Sequence, residues 1–354
     1  MKKEISVIGV MSGTSLDGLD LCHCTFSFTD NKWCFKIDAA QTIKYQYNDQ
    51  IKLQNANNLT AENFLLFHNS FGEYISLKLN EFISMYNLNP DFIASHGHTI
   101  FHQPEKKFTF QIGSGAVIAA NTGVDTISDF RSLDVALAGQ GAPLVPIGDQ
   151  LLFPEYDFCL NLGGFANIST LENGKRVAWD ICPVNIAINH YMKFLNQDFD
   201  NFGLTAQTGN LNISLLEKLN NIPFFKKDKP KSLGKEWLMK EFIPIIEGYN
   251  ISIHDKLNTI YHCAAQQIAK NINKKDVKIL TTGGGAYNKY LISLIEKQSR
   301  NSLIIPTTEL VDFKEAVIFA FLGVLFSIKE TNTLHSVTGA KRNSIGGCLY
   351  YGSK

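Results

Sequence analysis

Three glycine-rich turns carry the strongest chemical signal in this 354-residue chain. Gly13-Thr14-Ser15-Leu16-Asp17-Gly18 follows an apolar run opening with Ile5-Ser6-Val7-Ile8. Gly163-Gly164 follows Phe158-Cys159-Leu160-Asn161-Leu162, and Gly283-Gly284-Gly285 follows Val277-Lys278-Ile279-Leu280-Thr281. Glycine lets the backbone approach a ligand closely, and the N–H groups of such turns bind phosphate oxygens. One such turn is ordinary; three, each beside a strand, point to an extended polyphosphate between two lobes. Gly18 is followed by Leu19-Asp20, not by the Lys and Ser/Thr of a P-loop. No strand is followed by the dinucleotide fingerprint, and no protein-kinase catalytic loop is present. A phosphate turn without lysine must lean on backbone amides, hydroxyls and Mg²⁺. Asp17, inside the first turn, is placed to hold magnesium through water.

Other side chains admit two readings each. Asp180 precedes a helix expected from 184, so it is either a proton-abstracting carboxylate or that helix's N-cap. Glu315 is expected to open a helix, where a first-turn acid complements the dipole. His96 and His98 would share a strand face with His102 close by, but no adjacent Cys or carboxylate completes a tetrahedral metal set. Pocket lining or structural hydrogen bonding suits them better. The seven cysteines are scattered and read as buried reduced thiols.

The elements that must position these residues alternate between strands and helices, which indicates α/β architecture. Residues 5–28 read as a hairpin whose tip is the first glycine turn. A long helix is expected over 58–86, with Thr60 as its N-cap, then strands over 91–95, 108–112 and 124–128 with a helix over 114–121 between the last two. Residues 157–170 form a second hairpin around Gly163-Gly164. It echoes the first about 150 residues on and suggests two lobes built alike. Helices are expected over 184–196, 210–219 and 253–273, and strands over 277–281 and 303–306. Further helices are expected from about Asn288 and over 315–326. Residues 224–234, with four lysines and one proline, read as a solvated surface loop.

Composition sets the outer limits. Hydrophobic residues at 45% and charged residues at 19% fit a folded globular chain long enough for two domains. Lys+Arg and Asp+Glu both total 33, so the basic excess of a nucleic-acid binder is missing. No apolar run approaches the roughly 20 residues of a membrane helix, and the N-terminal run is too short for a signal peptide. The expected location is the cytoplasm, with no nucleic-acid or membrane partner.

The stretch from Gly9 to Asp20 resembles the opening signature of the anhydro-N-acetylmuramic acid kinase family. So do Ser95-His96-Gly97-His98-Thr99 with His102-Gln103-Pro104 (His98 standing where Gln is usual) and Gln111-Ile112-Gly113. Further matches are Asp129-Phe130-Arg131, Gly139-Gln140-Gly141-Ala142-Pro143, Asn161-Leu162-Gly163-Gly164 with Asn167-Ile168, and Asp200, Gly203, Ala206 and Gly209. The series ends with Thr282-Gly283-Gly284-Gly285-Ala286 and Asn288, Glu315-Ala316 with Phe319-Ala320, and Thr338-Gly339-Ala340. These blocks run in family order across nearly the whole chain.

The resemblance implies a two-lobed, actin-like ATPase fold of ribonuclease H-like type, with ATP in the interlobe cleft. It implies cleavage of the anhydro ring by water with transfer of the γ-phosphate to O6, a step of peptidoglycan recycling. Asp180 is then the general base. Gly13, Thr14, Ser15, Leu16, Asp17, Gly18, Leu19, Asp20, Gly163, Gly164, Asn167, Gly283, Gly284, Gly285 and Asn288 bind ATP. Arg131, Glu315, His96 and Gln140 bind the sugar, with Arg131 forking onto its lactyl carboxylate. A homodimer is implied. The expected lobes are 1–127 with 340–354, and 128–339. One departure stands out: the family's Asp-Thr-Gly-Pro reads Asp180-Ile181-Cys182-Pro183 here. It keeps a second reading open, an ATP-binding homologue of the same fold with another sugar or little kinase activity.

Overall fold

The computed structural model describes residues 4–13 and 16–352, so Thr14 and Ser15 of the first turn lie outside the described residues. Its contacts divide the chain into two units, Met1–Phe153 with Phe313–Lys354, and Pro154–Asp312. Residues 128–153 and 313–339 therefore pack with the first unit, where the sequence reading had them with the second.

In the first unit, strands numbered along the chain are β1 (Glu4–Ser12), β2 (Gly18–Thr29), β3 (Lys32–Lys44), β4 (Phe92–Gln103), β5 (Phe108–Ile112) and β6 (Thr126–Ser128), joined by β12 (Cys348–Tyr350). Their order is β12-β6-β4-β1-β2-β3, with β5 paired to β4. β2 runs antiparallel to both β1 and β3, while β4 runs parallel to β1 and β6 parallel to β4. Alternation along β1 and β2 sends Ile8, Val10, Leu19 and Leu21 into the core. The helix Ala61–Tyr86 meets them with Phe71, Ile75, Leu79 and Phe82, spaced three and four apart. Each such buried side chain contributes about 1.5–3 kcal/mol. Thr60 caps this helix by accepting the Asn63 N–H at 3.4 Å, as expected, and Asn87 ends it in the left-handed conformation. On the other face, β1 runs close against the helix Thr308–Ser327. A Cβ on Gly9 would sit 2.0 Å from the Ala316 carbonyl oxygen, so only glycine permits that approach.

The second unit contains β7 (Phe158–Leu162), β8 (Phe165–Glu172), β9 (Lys175–Pro183), β10 (Ile279–Thr282) and β11 (Leu303–Ile304), in the order β11-β10-β7-β8-β9. β7, β8 and β9 are antiparallel, and β10 and β11 continue parallel to β7. Its core gathers Leu160, Leu162, Ile168 and Ile181 against Leu257, Ile260, Ala264 and Ile268 of the helix Ile253–Asn271.

Written side by side, β3-β2-β1-β4-β6 and β9-β8-β7-β10-β11 are one topology used twice. Three antiparallel strands are followed by two parallel ones, the ribonuclease H-like arrangement that defines the actin-like ATPase class. The third strand of each set, β3 and β9, was not expected, because both carry polar residues at many positions. β4 also runs on to Gln103, so His96 and His98 are strand residues. The helix expected to open at Glu315 begins seven residues earlier, at Thr308, so Glu315 is not a first-turn acid.

Candidate active site residues in each unit

In the second unit, strand register builds a polar row. Thr282 of β10 lies opposite Asn161 of β7, Asn161 opposite Asn167 of β8, and Asn167 opposite Asp180 of β9. Registered neighbours share one face of a sheet. Their strand neighbours Leu160, Leu162, Ala166, Ile168, Trp179 and Ile181 belong to the core. A bulge between Ala166 and Asn167 lets the register pass over Ile181. Asp180 is therefore a strand residue. The cap position of the helix Asn185–Met192 is Val184, so the N-cap reading of Asp180 does not hold.

β9 is the edge strand, and residues 231–233 cover that edge at Asp180. The Asp180 N–H donates to the Lys231 carbonyl at 2.9 Å, and the Leu233 N–H donates to Asp180 Oδ2 at 2.7 Å. Burial pushes the Asp180 carboxyl up to about 6, against the opposing pull of the Leu233 N–H. The segment read as a solvated loop thus packs on the candidate base, and its Phe224 is buried. The missed signal was its aromatic content: Phe224, Phe225 and Trp237 cluster at 5.2–6.3 Å between ring centres.

Two glycine turns converge beside this row. The carbonyls of Gly163 and Gly164 accept the N–H groups of Val184, Asn185 and Ile186, tying the β7–β8 turn to the start of a helix. Asn185 Nδ2 donates to the Leu162 carbonyl at 3.2 Å. Gly283 has φ of +82°, and a Cβ there would lie 2.5 Å from Asn161 Oδ1. A Cβ on Gly285 would lie 2.8 Å from that of Leu162. Asn161, inside a matched block, and Asn185, two residues past the Asp180 block, join the constellation unannounced.

Asn288, expected at the nucleotide, is used inside the unit. Its Nδ2 donates to the Tyr261 hydroxyl at 2.6 Å and its Oδ1 caps Leu291 N–H at 3.0 Å. Tyr261 in turn donates to Asp200, which also accepts from the Thr205 and Ala206 N–H groups. Ile181 and Cys182, the family departure, are both fully buried in the core.

In the first unit, Arg131 follows β6 and gathers its neighbours. Its Nε donates to His96 Nε2 at 2.9 Å and its Nη1 to the Gly141 carbonyl at 2.7 Å. His96 Nε2 is therefore the accepting nitrogen, and Nδ1 donates to the Gly97 carbonyl at 2.9 Å. Burial holds the His96 imidazole well below its usual range, with Arg131 adding to the effect, so it is neutral. Burial draws the Arg131 guanidinium down to about 10, against the pull of Glu315 and Asp134. It also raises the Glu315 carboxyl, while Arg131 and Lys314 pull it back. The exposed Gln140 side chain rides on the adjoining loop. That loop is held by Asp134, which accepts from the Gly141 N–H and the Thr338 hydroxyl, each at 2.7 Å.

The first glycine turn is partly described. Asp17 is exposed, Gly18 opens β2, and Leu19 is buried in the core. Asp20 accepts from the Thr42 hydroxyl at 2.6 Å. At the turn's entrance, Ser12 Oγ shares hydrogen bonds with Tyr45 (2.7 Å) and His98 Nδ1 (2.8 Å). Burial brings His98 down to about 4. His98 is thus a support for the turn.

The family model for anhydro-N-acetylmuramic acid kinase matches residues 5–352. A protein of that name from Francisella tularensis subsp. novicida is 34% identical, covering 97% of this chain and 98% of its own. A second, from Hydrogenovibrio crunogenus, is 33% identical and covers 97% of both. Among solved structures, the activator of the 2-hydroxyisocaproyl-CoA dehydratase from Clostridium difficile with bound ADPNP aligns over 92% of this chain and 97% of its own. It does so at 13% identity and a TM-score of 0.41.

Proposed function

Because this chain belongs to the anhydro-N-acetylmuramic acid kinase family, we propose that it opens 1,6-anhydro-N-acetylmuramic acid with water and phosphorylates O6 from ATP. The observation that carries the mechanism is Asp180, a half-buried carboxylate raised to about 6 and oriented by the Leu233 N–H. Such a group is ionised at neutral pH yet basic enough to take a proton. Asp180 abstracts a proton from water as the water oxygen attacks the anomeric carbon. The bond from that carbon to O6 breaks, and O6 attacks the γ-phosphorus of ATP, releasing ADP. The products are N-acetylmuramic acid 6-phosphate and ADP, and the proton leaves from Asp180.

Arg131 binds the lactyl carboxylate through its remaining N–H groups, with His96 and the Gly141 carbonyl fixing the guanidinium plane. Glu315 and Gln140 complete the sugar contacts. The Gly163-Gly164 and Gly283 to Gly285 turns and the first turn from Gly13 to Gly18 hold the phosphates through backbone N–H groups. Asp17 has the chemistry to hold Mg²⁺: it is an exposed carboxylate inside a phosphate turn, and no group of three metal ligands gathers among the described residues. That suits an ion bound by phosphate oxygens and water with one protein carboxylate. The ion would neutralise charge on the transferring phosphate.

The family departure speaks against the second reading. Ile181 and Cys182 fill the core beneath Asp180 and remove no group from the polar row. We take the cytoplasm, where ATP is supplied, as the site of the reaction; among the described residues no helix is long and apolar enough to cross a membrane. The homodimer is checked by light scattering.

The test is phosphate transfer with ATP, Mg²⁺ and 1,6-anhydro-N-acetylmuramic acid, following sugar phosphate and ADP together. One ADP per sugar phosphate supports the reading. ATP binding with no sugar phosphorylated overturns it.

A further inference from the structure

The segment 224–233 does more than cover a sheet edge. The Lys231 ammonium turns back along its own chain, donating to the Phe224 carbonyl at 3.2 Å and the Phe225 carbonyl at 3.4 Å. It lies 5.0 Å from the centre of the Phe224 ring. Phe224 is buried and packs on Trp237, so the far end of this tie is anchored in the core. One residue therefore joins three things. Its ammonium binds the anchored turn at 224–225, its carbonyl receives the Asp180 N–H, and its chain delivers the Leu233 N–H to Asp180 Oδ2.

An exposed surface lysine gains nothing from holding backbone carbonyls while water is available. Lys231 is half-buried, and burial lowers its ammonium from the usual range, so the position costs free energy. A lysine held there by two backbone carbonyls points to a geometric role. The bond it sets up is the one that opposes the upward push on Asp180.

We propose that Lys231 is a positioning residue for catalysis: its tie to the Phe224 and Phe225 carbonyls fixes the segment that orients and tunes the Asp180 carboxylate. This rests on Asp180 being the general base. Without the tie, residues 231–233 sample other positions, the Leu233 N–H leaves Oδ2, and the carboxylate becomes both more basic and misdirected. No charged neighbour competes with that bond in opposing the upward push of burial on Asp180. The Cys182 thiol on β9 is pushed well up by burial and stays neutral. Burial likewise holds the Cys263 thiol, on the helix Ile253–Asn271, up at about 12. Asn167, opposite on β8, is an uncharged amide. Lys231 itself is held on its two carbonyls.

The experiment compares wild type, Lys231→Met, Lys231→Arg and Asp180→Asn. It records kcat and KM from pH 5 to 9, with an aspartate ¹³C-carboxyl NMR titration of each folded protein. In Lys231→Met we expect kcat to fall about tenfold, the scale of one lost positioning bond. KM for both substrates should stay within about twofold. The acid limb and the Asp180 carboxyl titration should both move up from about 6 by about half a pH unit or more. Lys231→Arg keeps donors for the two carbonyls and should recover most of both. A Lys231→Met enzyme with wild-type kcat and an unmoved titration overturns the proposal. So does a loss confined to KM. If Lys231→Met folds poorly, Lys231→Arg with the titration still decides: an arginine enzyme that leaves kcat low and the carboxyl shifted also overturns it. Activity retained in Asp180→Asn sinks the base assignment and this proposal together, whereas a dead Asp180→Asn beside a normal Lys231→Met sinks only the second.

Discussion

In the first unit, the surface proposed for the sugar is built around charged side chains that lean on their neighbours: Arg131 with Glu315 nearby, neutral His96 accepting from the guanidinium, and Asp134 fastening the loop beneath. In the second, the equivalent surface is nearly uncharged. Thr282, Asn161 and Asn167 supply a hydroxyl and two amides, and Asp180 ends the row as its one carboxylate. Both surfaces are mounted on the same strand order. The difference shows that this fold fixes where side chains stand without fixing their chemistry. A charged partner such as a sugar carboxylate needs the first kind of surface. A carboxylate raised by burial stands in the second, where its row neighbours bring no charge to neutralise it and the Leu233 N–H orients it.

The largest effect should come from removing the carboxylate. Asp180→Asn should lower kcat by at least about 100-fold, the usual weight of a general base. It should also alter stability in the opposite sense. A carboxyl raised to about 6 in the folded state favours its protonated form there, so its charge costs stability above pH 6. The amide removes that cost, at most about 3 kcal/mol from the shift. Thermal melts should show the variant more stable than wild type at pH 8. The gap should shrink as pH falls through 6 and close near pH 4. In the wild type, kcat should fall below pH 6 as the base becomes protonated.

On the charged surface, Arg131→Lys is the corresponding break. Lysine keeps the charge but cannot donate to His96 and Gly141 while presenting a fork to a carboxylate. A lost charge-assisted hydrogen bond costs about 1.5–3 kcal/mol, so kcat/KM for the sugar should drop by about tenfold to a hundredfold. KM for ATP should be unchanged. A drop shared equally by both substrates would show that the comparison between the two surfaces is misdrawn.

A third, smaller effect separates the glycines of the second unit. Gly283→Ala places a Cβ 2.5 Å from Asn161 Oδ1 at a positive φ, whereas the nearest contact for Gly164→Ala is 3.6 Å. We expect the Gly283 variant to lose about 1–2 kcal/mol of stability and to raise KM for ATP several-fold. Gly164→Ala should melt like wild type. If it also raises KM for ATP, its backbone N–H approaches the phosphates closely enough that a methyl is in the way.

How much of this was legible beforehand depends on the kind of signal. The glycine turns, Thr60 as N-cap and the strand at Phe108–Ile112 are local, and local patterns are written in the sequence. Edge strands are not. β3 and β9 mix charged with apolar residues, and become strands only because β2 and β8 offer a partner. Their absence from the reading left Asp180 looking like a helix cap. The segment 224–234 failed for the same reason in reverse. Its lysines advertised a solvated loop, while its aromatic residues, which anchor it, count only once Trp237 and Phe242 are known to be near. The Asn161–Asn167–Asp180 row depends on register across three strands with a bulge, which spacing alone does not reveal.

The smallest expected effect on activity tests whether the family departure belongs to chemistry or to packing. Ile181→Thr restores the family's residue at a fully buried site. Threonine is smaller than isoleucine and brings a hydroxyl into a core of Leu160, Ile168, Val184 and Ala264. Loss of apolar volume and burial of a hydroxyl should together cost about 2–3 kcal/mol. If Ile181 only fills space under the sheet, kcat and KM should stay within about twofold while the melting temperature falls by several degrees. A clear rise in kcat with Ile181→Thr would instead mean that the strand beneath Asp180 transmits its packing to the carboxylate. The uncharged surface would then be tuned from its core as well as from the covering segment at 231–233.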